Sequence, residues 1–327
     1  MSEEKITVSV CILAYNHADY IEKCIDSFLM QKTTFKWELY VSDDCSSDDT
    51  VARVRKRYGD RIPVYTHDTN VGIPRNIYDG YRRARGEYAC VFSGDDWVIR
   101  EDYLQMQYDF LEREENQRYI ATSCWIKMMN EAEEEIDAIH PDITSCSLED
   151  YLFAKPTPVV MGLVRNVFQG DNLEWLYETN PSSDEPTYKY FLMKQGEFAI
   201  LPIYGRAYRF VRNPNKKNYN STHSILENMI AMQNALDNLT TMEGNEHLFY
   251  FFRLWSSFQV LRACWRRFYD KQMRVMFREY RKCISPKLFW RTVRFAPLLL
   301  IGKGNLPECY IRYHREKWLK RWNIKGE

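Results

Sequence analysis

The sequence predicts an α/β protein, a mostly parallel sheet covered by helices, extended by a mainly helical C-terminal region. Three observations carry this. Apolar, β-branched runs alternate with amphipathic helical patterns through the first 130 residues, as strand–helix crossovers require. Several of those runs end abruptly in polar or acidic residues. Beyond residue 222 long helical periodicity replaces the alternation. Residues 1–215 are expected to form the first domain, and residues 216–327 a basic helical region.

The first run, ITVSVCILAYN (6–16), reads as a buried strand. In 18–31, Tyr20, Ile21, Cys24, Ile25, Phe28 and Leu29 share one helical face. WELYVSD (37–43) is the second strand. Ser47 is expected to cap the next helix, with Asp48 and Asp49 in its first turn near the positive end of the dipole. Gly59 ends that helix. IPVYTH (62–67) is a third strand, and a helix runs from about Pro74 to Arg85, closed by Gly86. EYACVFSGDDW (87–97) is a fourth strand, 101–114 a helix and 119–128 an extended segment. NEAEEEIDAIHPD is a loop or hairpin, SLEDYLFAKP a short helix, PTPVVMGLVRN extended and SSDEPTYKYFLMKQG a capped helix. EFAILPIYGRAYRFV returns as one or two strands.

Carboxylate pairs close two of these runs: Asp43–Asp44 and Asp95–Asp96. Charge at a strand end costs stability unless water, a cation or a polar ligand answers it. Ligands of open α/β sheets bind beyond the carboxyl ends of strands. Asn16, Asp43–Asp44 and Asp95–Asp96 all fall there. Adjacent acids can hold Mg²⁺ or Mn²⁺ shared with substrate phosphates, and Gly94 lets backbone approach closely. Taken alone, GDD reads as well as a solvated turn.

Four segments occur in order: VSVCILAYNHADYIEKCIDSFLMQ, ELYVSDDCSSDDTV, NVGIPRN and GEYACVFSGDDW. Together they resemble the nucleotide-sugar-binding half of the inverting GT-A glycosyltransferases of family two. The resemblance is dense over 6–130 and looser over 150–215. It implies a GT-A, Rossmann-like fold and a UDP-sugar donor. It implies that Tyr15 lies against the nucleobase, Asp44 reads a uracil edge, Arg75 reaches the diphosphate, and Asp95 lies near ribose or diphosphate. Asp96 would bind the cation, Mn²⁺ or Mg²⁺. Asp184 would be the general base, with Glu185 its competing neighbour. Each has a plain structural alternative: Tyr15 capping the core, Arg75 on a helix surface, Asp184 capping a helix. Arg206 and Arg209 are candidates either for the leaving diphosphate or for bracing the fold. One departure stands out. The fuller family pattern has another acid two positions before Asp95, where this chain has Ser93, leaving fewer protein oxygens for a metal.

The expected activity is metal-dependent hexosyl or N-acetylhexosaminyl transfer, with inversion, to a glycan or lipid-linked glycan hydroxyl. The alternative is a non-catalytic sugar-nucleotide-binding or scaffold protein on the same fold. A dinucleotide dehydrogenase would need GxGxxG after the first strand, and a P-loop protein GxxxxGK[ST]; neither is present. A sugar nucleotidyltransferase would open with a Gly-rich basic loop, also missing.

Nine cysteines without a CxxC pair suit a reducing, cytoplasmic setting. The six histidines lack zinc-ligand spacing. The N-terminus lacks a signal-peptide pattern, and no apolar run approaches the ~18 residues of a membrane span. Net charge is zero overall but uneven: residues 262–327 carry 18 Lys/Arg against 5 Asp/Glu. That is +13, against −13 for residues 1–261. Basic and aromatic residues interleave in 265–283 and 310–322. A solvated helical face or pairing with the acidic body would account for this. An anionic membrane surface is the partner such a tail suits, on the inner face of the cell membrane; nucleic acid is not expected.

Overall fold

The computed structural model describes residues 5–155, 157–158, 161–178, 185–210, 225–266, 278, 281, 284–301 and 306–323. The chain divides into two compact units. The first holds Met1–Cys146, Pro158–Asp184 and Phe191–Thr222; the second holds Ser147–Thr157, Glu185–Tyr190 and His223–Glu327.

The first unit is built on strands β1 (Val8–Ala14), β2 (Trp37–Asp43), β3 (Val64–Thr66), β4 (Tyr88–Ser93), β5 (Trp97–Val98), β6 (Tyr119–Met129), β7 (Glu135–Ile139), β8 (Ser145–Cys146), β9 (Val164–Arg165) and β10 (Glu197–Arg209). They form one sheet in the order β3-β2-β1-β4-β9-β6-β10-β5, with β7 on β6 and β8 on β10. Pairs β3–β2, β2–β1, β1–β4 and β6–β10 are parallel. The short β9 runs antiparallel to both β4 and β6, a reversal that the run PTPVVMGLVRN did not reveal. The expected fourth strand is broken: β4 stops at Ser93, and β5 pairs antiparallel with β10 instead. Of the loop or hairpin expected after residue 130, the hairpin is present as β6–β7.

Helices α1 (Ile21–Leu29), α2 (Thr50–Tyr58), α3 (Ile73–Arg83) and α4 (Tyr103–Glu112) follow β1, β2, β3 and β5. The strand–helix junctions differ from expectation in one place. Ser47 does not cap α2; its amide and hydroxyl donate to Asn16 Oδ1. Asp48 lies ahead of the helix, and its Oδ1 accepts from the Thr50 amide at 3.0 Å. Gly59 ends α2 at φ 57°, as its sequence position suggested. Val10, Ile12, Ile25, Phe28, Cys90, Phe92 and Leu104 are fully or almost fully buried in the core of this unit. At about 25 cal/mol per Å² of apolar surface, such burial is the main force holding helices on sheet.

The second unit contains α5 (Leu148–Leu152), α8 (Ile225–Met242), α9 (Tyr250–Arg266), α10 (Pro286–Ile301) and α11 (Glu308–Trp322). The short α6 (Trp175–Glu178) belongs to the first unit, and the division falls within α7 (Glu185–Met193). A complete capping box starts α5: Ser147 and Asp150 satisfy each other's backbone amides. The core of this unit is aromatic. Phe251 lies 4.6 Å from Trp318 and 5.3 Å from Phe153 between ring centroids, and the Trp322 indole donates to the His247 carbonyl. Among the described residues, no helix is long and apolar enough to cross a membrane.

Candidate functional site

Three adjacent strands set the candidate site. Parallel register places Ala14 of β1 opposite Asp43 of β2, and Leu13 opposite Ser93 of β4. One and two residues further on, Asp44, Tyr15 and Asp95 reach the same rim. Strand spacing puts the backbones of Asp44 and Asp95 about 10 Å apart, with Tyr15 between them. Two bonds knit the rim beyond the ladder: Asp44 N–H to Ala14 C=O and Gly94 N–H to Leu13 C=O, both 2.8 Å. Tyr15 is 42 % exposed, so its ring is open to a flat partner.

The two acids of the first pair have separate tasks. Asp43 is buried and accepts from the amide and hydroxyl of Ser46, which shapes the turn after β2. Asp44 is also buried, and its two oxygens accept from the amides of Val71 (2.6 Å) and Gly72 (3.0 Å). It therefore fixes the loop entering α3. Burial pushes its carboxyl upward, opposed by those two amides and by His67. A carboxylate offers about four lone-pair positions, so further acceptor capacity remains. Gly72 stands at φ 85°, a region costly for residues with a Cβ.

Arg75, in the first turns of α3, donates from Nε to Asp79 (3.0 Å) and from Nη1 to the Tyr177 hydroxyl (2.7 Å). Its guanidinium also stacks on the Tyr177 ring at 4.4 Å. Its side chain remains 41 % exposed.

The second acidic pair divides more sharply. Asp96 is fully buried. Its Oδ2 accepts from Nε and Nη2 of Arg206, and its Oδ1 from the Arg209 amide at 2.8 Å. Burial pushes its pKa up to about 6; Arg206 opposes that rise and neighbouring Asp95 adds to it. Arg206 is itself sandwiched against Phe92, 3.9 Å from the ring centre. Arg209 donates to the Asp95 carbonyl and to Glu133 and stacks between Tyr20 and Trp97. Both arginines thus brace β10 against the rim. Asp95 is half-buried; Oδ1 accepts from the Ser93 hydroxyl. Among the described residues its carboxylate has no second hydrogen bond.

This donor set decides how a cation would fit. Mg²⁺ and Mn²⁺ favour one or two carboxylates completed by substrate phosphate and water. Asp95, with Ser93 beside it, suits such a shared ion. Asp96 is less suited: it is buried, and three of its roughly four acceptor positions are taken by Arg206 and the Arg209 amide. Among the described residues no group of three or more His, Cys, Asp or Glu side chains forms a cage.

Two further polar residues stand at the rim: Asn16, which the sequence placed at this strand end, and His17, which it did not single out. Asn16 adopts φ 56°, accepts from Ser47, and leaves its buried Nδ2 without a partner among the described residues. His17 likewise leaves Nδ1 unpaired beside Gly94. Their position directly after β1 was the available signal. Asp184 lies outside the described residues, as does the side chain of Glu185.

Residues 9–134 match the family described as glycosyl transferase family 2. That segment, less than half of the chain, is similar to glycosyl transferase family 2. An uncharacterized protein of Mycobacterium tuberculosis is 32 % identical over 109 residues, covering 32 % of each chain. TuaG of Bacillus subtilis, a glycosyltransferase assigned to teichuronic acid biosynthesis, is 33 % identical over 114 residues, or 34 % of this chain and 44 % of TuaG. The chain thus spans between a third and a half of these relatives' length. The structure of S. aureus TarS 1–349 in complex with UDP-GlcNAc superposes with a TM-score of 0.57 at 16 % identity, covering 97 % of this chain and 89 % of that one. The chain accordingly has the GT-A type of fold, with helices following the sheet-bearing part.

Proposed function

We propose that this chain transfers a sugar from a UDP-sugar to a hydroxyl of a glycan or lipid-linked glycan, with inversion. The observation that carries the reading is the in-register row Asp44, Tyr15 and Asp95 on three neighbouring strand ends. Its width suits a nucleoside diphosphate laid across the rim. TarS, of like fold, is named with UDP-GlcNAc bound, which supports this donor class. Tyr15 stacks on the base and Asp44 accepts from the uracil N3–H through its remaining lone pairs. Asp95 meets the diphosphate and its cation. Asp96, the residue assigned to the cation by resemblance, holds Arg206 and β10 in place behind Asp95. Arg75 turns from Asp79 to the diphosphate when donor is present.

The acceptor hydroxyl attacks the anomeric carbon while the bond from that carbon to the β-phosphate oxygen breaks. The hydroxyl proton passes to the Asp184 carboxylate. The bound cation would supply charge stabilisation to the departing UDP. No covalent sugar–protein intermediate is needed.

Titration calorimetry with UDP and Mn²⁺, followed by a nucleotide-sugar panel scored for hydrolysis, tests this. Wild type should bind UDP; Asp44→Asn and Tyr15→Ala should each weaken it about tenfold or more. Asp184→Asn should retain UDP binding and lose turnover by roughly 10²–10⁴-fold. Absence of UDP binding in the wild type would overturn the proposal; binding without turnover on any donor would reduce it to a sugar-nucleotide binder.

A further inference from the structure

Helix α10 (Pro286–Ile301) buries Thr292 and Leu299 on one side. Its opposite side is apolar where water would favour polar groups. Trp290 is 62 % exposed, Val293 40 %, Leu300 63 % and Ile301 75 %. At 100° per residue these four fall within one sector of the helix, and they run about 16 Å along its axis at 1.5 Å per residue. Exposed Lys287, Arg291 and Arg294 fill the adjoining sector, with Arg291 set over the Tyr250 ring at 5.4 Å. Residues 286–301 contain no acidic side chain.

An apolar stripe bordered by cations on one flank is the chemistry of a helix lying in a lipid interface. The apolar sector enters the acyl boundary while Lys and Arg meet head-group phosphates. We infer that the outer face of α10 is the surface by which this chain docks on an anionic membrane. The inference rests on reading the basic C-terminal region as lipid-facing, and it assigns that reading to one face. Free phosphate would account for the cations but not for four adjacent exposed hydrophobes. A second copy meeting this face through its own α10 would set one +3 flank against another; the acidic residues 1–261 of a second copy would answer the cations, and the dimer measurement below separates that outcome from lipid docking.

The test is co-sedimentation of the full chain with phosphatidylcholine vesicles, alone or with about 30 % phosphatidylglycerol, at low and high salt. Wild type should bind the anionic vesicles, release with salt, and ignore the neutral ones. Arg291→Glu/Arg294→Glu and Leu300→Glu/Ile301→Glu should each lose at least tenfold in vesicle affinity. Lys317→Glu/Lys320→Glu, exposed on α11 and equal in charge change to the arginine pair, should lose about threefold or less. Thermal melting of each variant confirms that it is folded. Vesicle binding in the α10 variants equal to wild type, or to the α11 control, would overturn the assignment of this face while leaving the region's lipid affinity standing. No binding by wild type would overturn both. So would a concentration-dependent dimer in ultracentrifugation that Leu300→Glu/Ile301→Glu dissolves. UDP binding is measured separately and does not depend on either result.

Discussion

Asp96 and Arg206 show how much a single pair decides at this rim. A buried ion pair is tolerable only when every charge has partners; here Arg206 supplies two donors and the Arg209 amide a third. Arg206→Met would strand the carboxylate, and a loss of about 3–5 kcal/mol is expected at neutral pH and above. The loss should depend on pH in a definite direction. The folded pKa of Asp96 is about 6 against an ordinary 3.8, so the folded state binds this proton more tightly than the unfolded chain. That contribution is full below about pH 4 and is lost as pH rises through 6. Without Arg206 the folded pKa climbs further. Urea denaturation of the variant and wild type at pH 5 and pH 8 should therefore show the smaller difference at pH 5. An equal or larger difference at pH 5 would contradict the pairing.

At the scale of elements, the rim depends on strand ends that stop within one residue of each other and on loops that pack without side-chain bulk. Gly94 is the tightest point. A Cβ there would lie 2.8 Å from Ile21 Cδ1, 2.9 Å from His17 Nδ1 and 2.9 Å from the Leu13 carbonyl oxygen. Ile21 can yield; the carbonyl belongs to β1 and cannot move without disturbing the ladder. Gly94→Ala is expected to cost about 1–3 kcal/mol, the usual range for overpacking. It should also weaken UDP binding, because Asp95 follows directly. A melting curve with and without UDP checks both, and an unchanged melting temperature in the apo protein would refute the crowding argument. α3 is fixed from the other side: Ser42 Oγ donates to Asn76 Oδ1 at 2.6 Å and Asn76 Nδ2 donates to the Ser42 carbonyl at 3.0 Å, which ties the helix carrying Arg75 to β2.

At the scale of the whole molecule, most of the described cysteines behave as core residues. Cys11, Cys24, Cys90, Cys124 and Cys146 are buried. Burial raises the thiol pKa of Cys90 to about 12 and of Cys124 to about 11, and raises Cys11 and Cys24 strongly as well. Thiolate is the reactive form. Iodoacetamide at pH 8 followed by peptide mapping should therefore modify Cys309, which is exposed, and Cys45, which is half-buried. Cys11, Cys24, Cys90 and Cys124 should stay unmodified until denaturant is added. Rapid labelling of Cys90 in the native protein would show that the sheet core opens far more readily than its packing implies.

What could be read from the residues alone was whatever depends on local pattern. Hydrophobic period and turn chemistry located the strand ending at Asp43 and the glycine stop of α2; they left open a loop or hairpin after residue 130 and one or two strands over 197–209, which the structure resolves as a hairpin and a single strand. The order of four motifs disclosed the family, and the rule that ligands gather at strand carboxyl ends put Asn16, Asp43–Asp44 and Asp95–Asp96 at one rim. Pairing between distant segments was decided only by the tertiary structure. The antiparallel β9, the detachment of β5 onto β10 and the passage of 147–157 and 185–190 to the second unit all depend on contacts more than ten residues apart, which no local period encodes. The same holds for the two adjacent acids of GDD. Identical in type and neighbours in sequence, they differ because the turn between β4 and β5 leaves Asp95 half-buried beside Ser93 and buries Asp96 on Arg206, a partner 110 residues away.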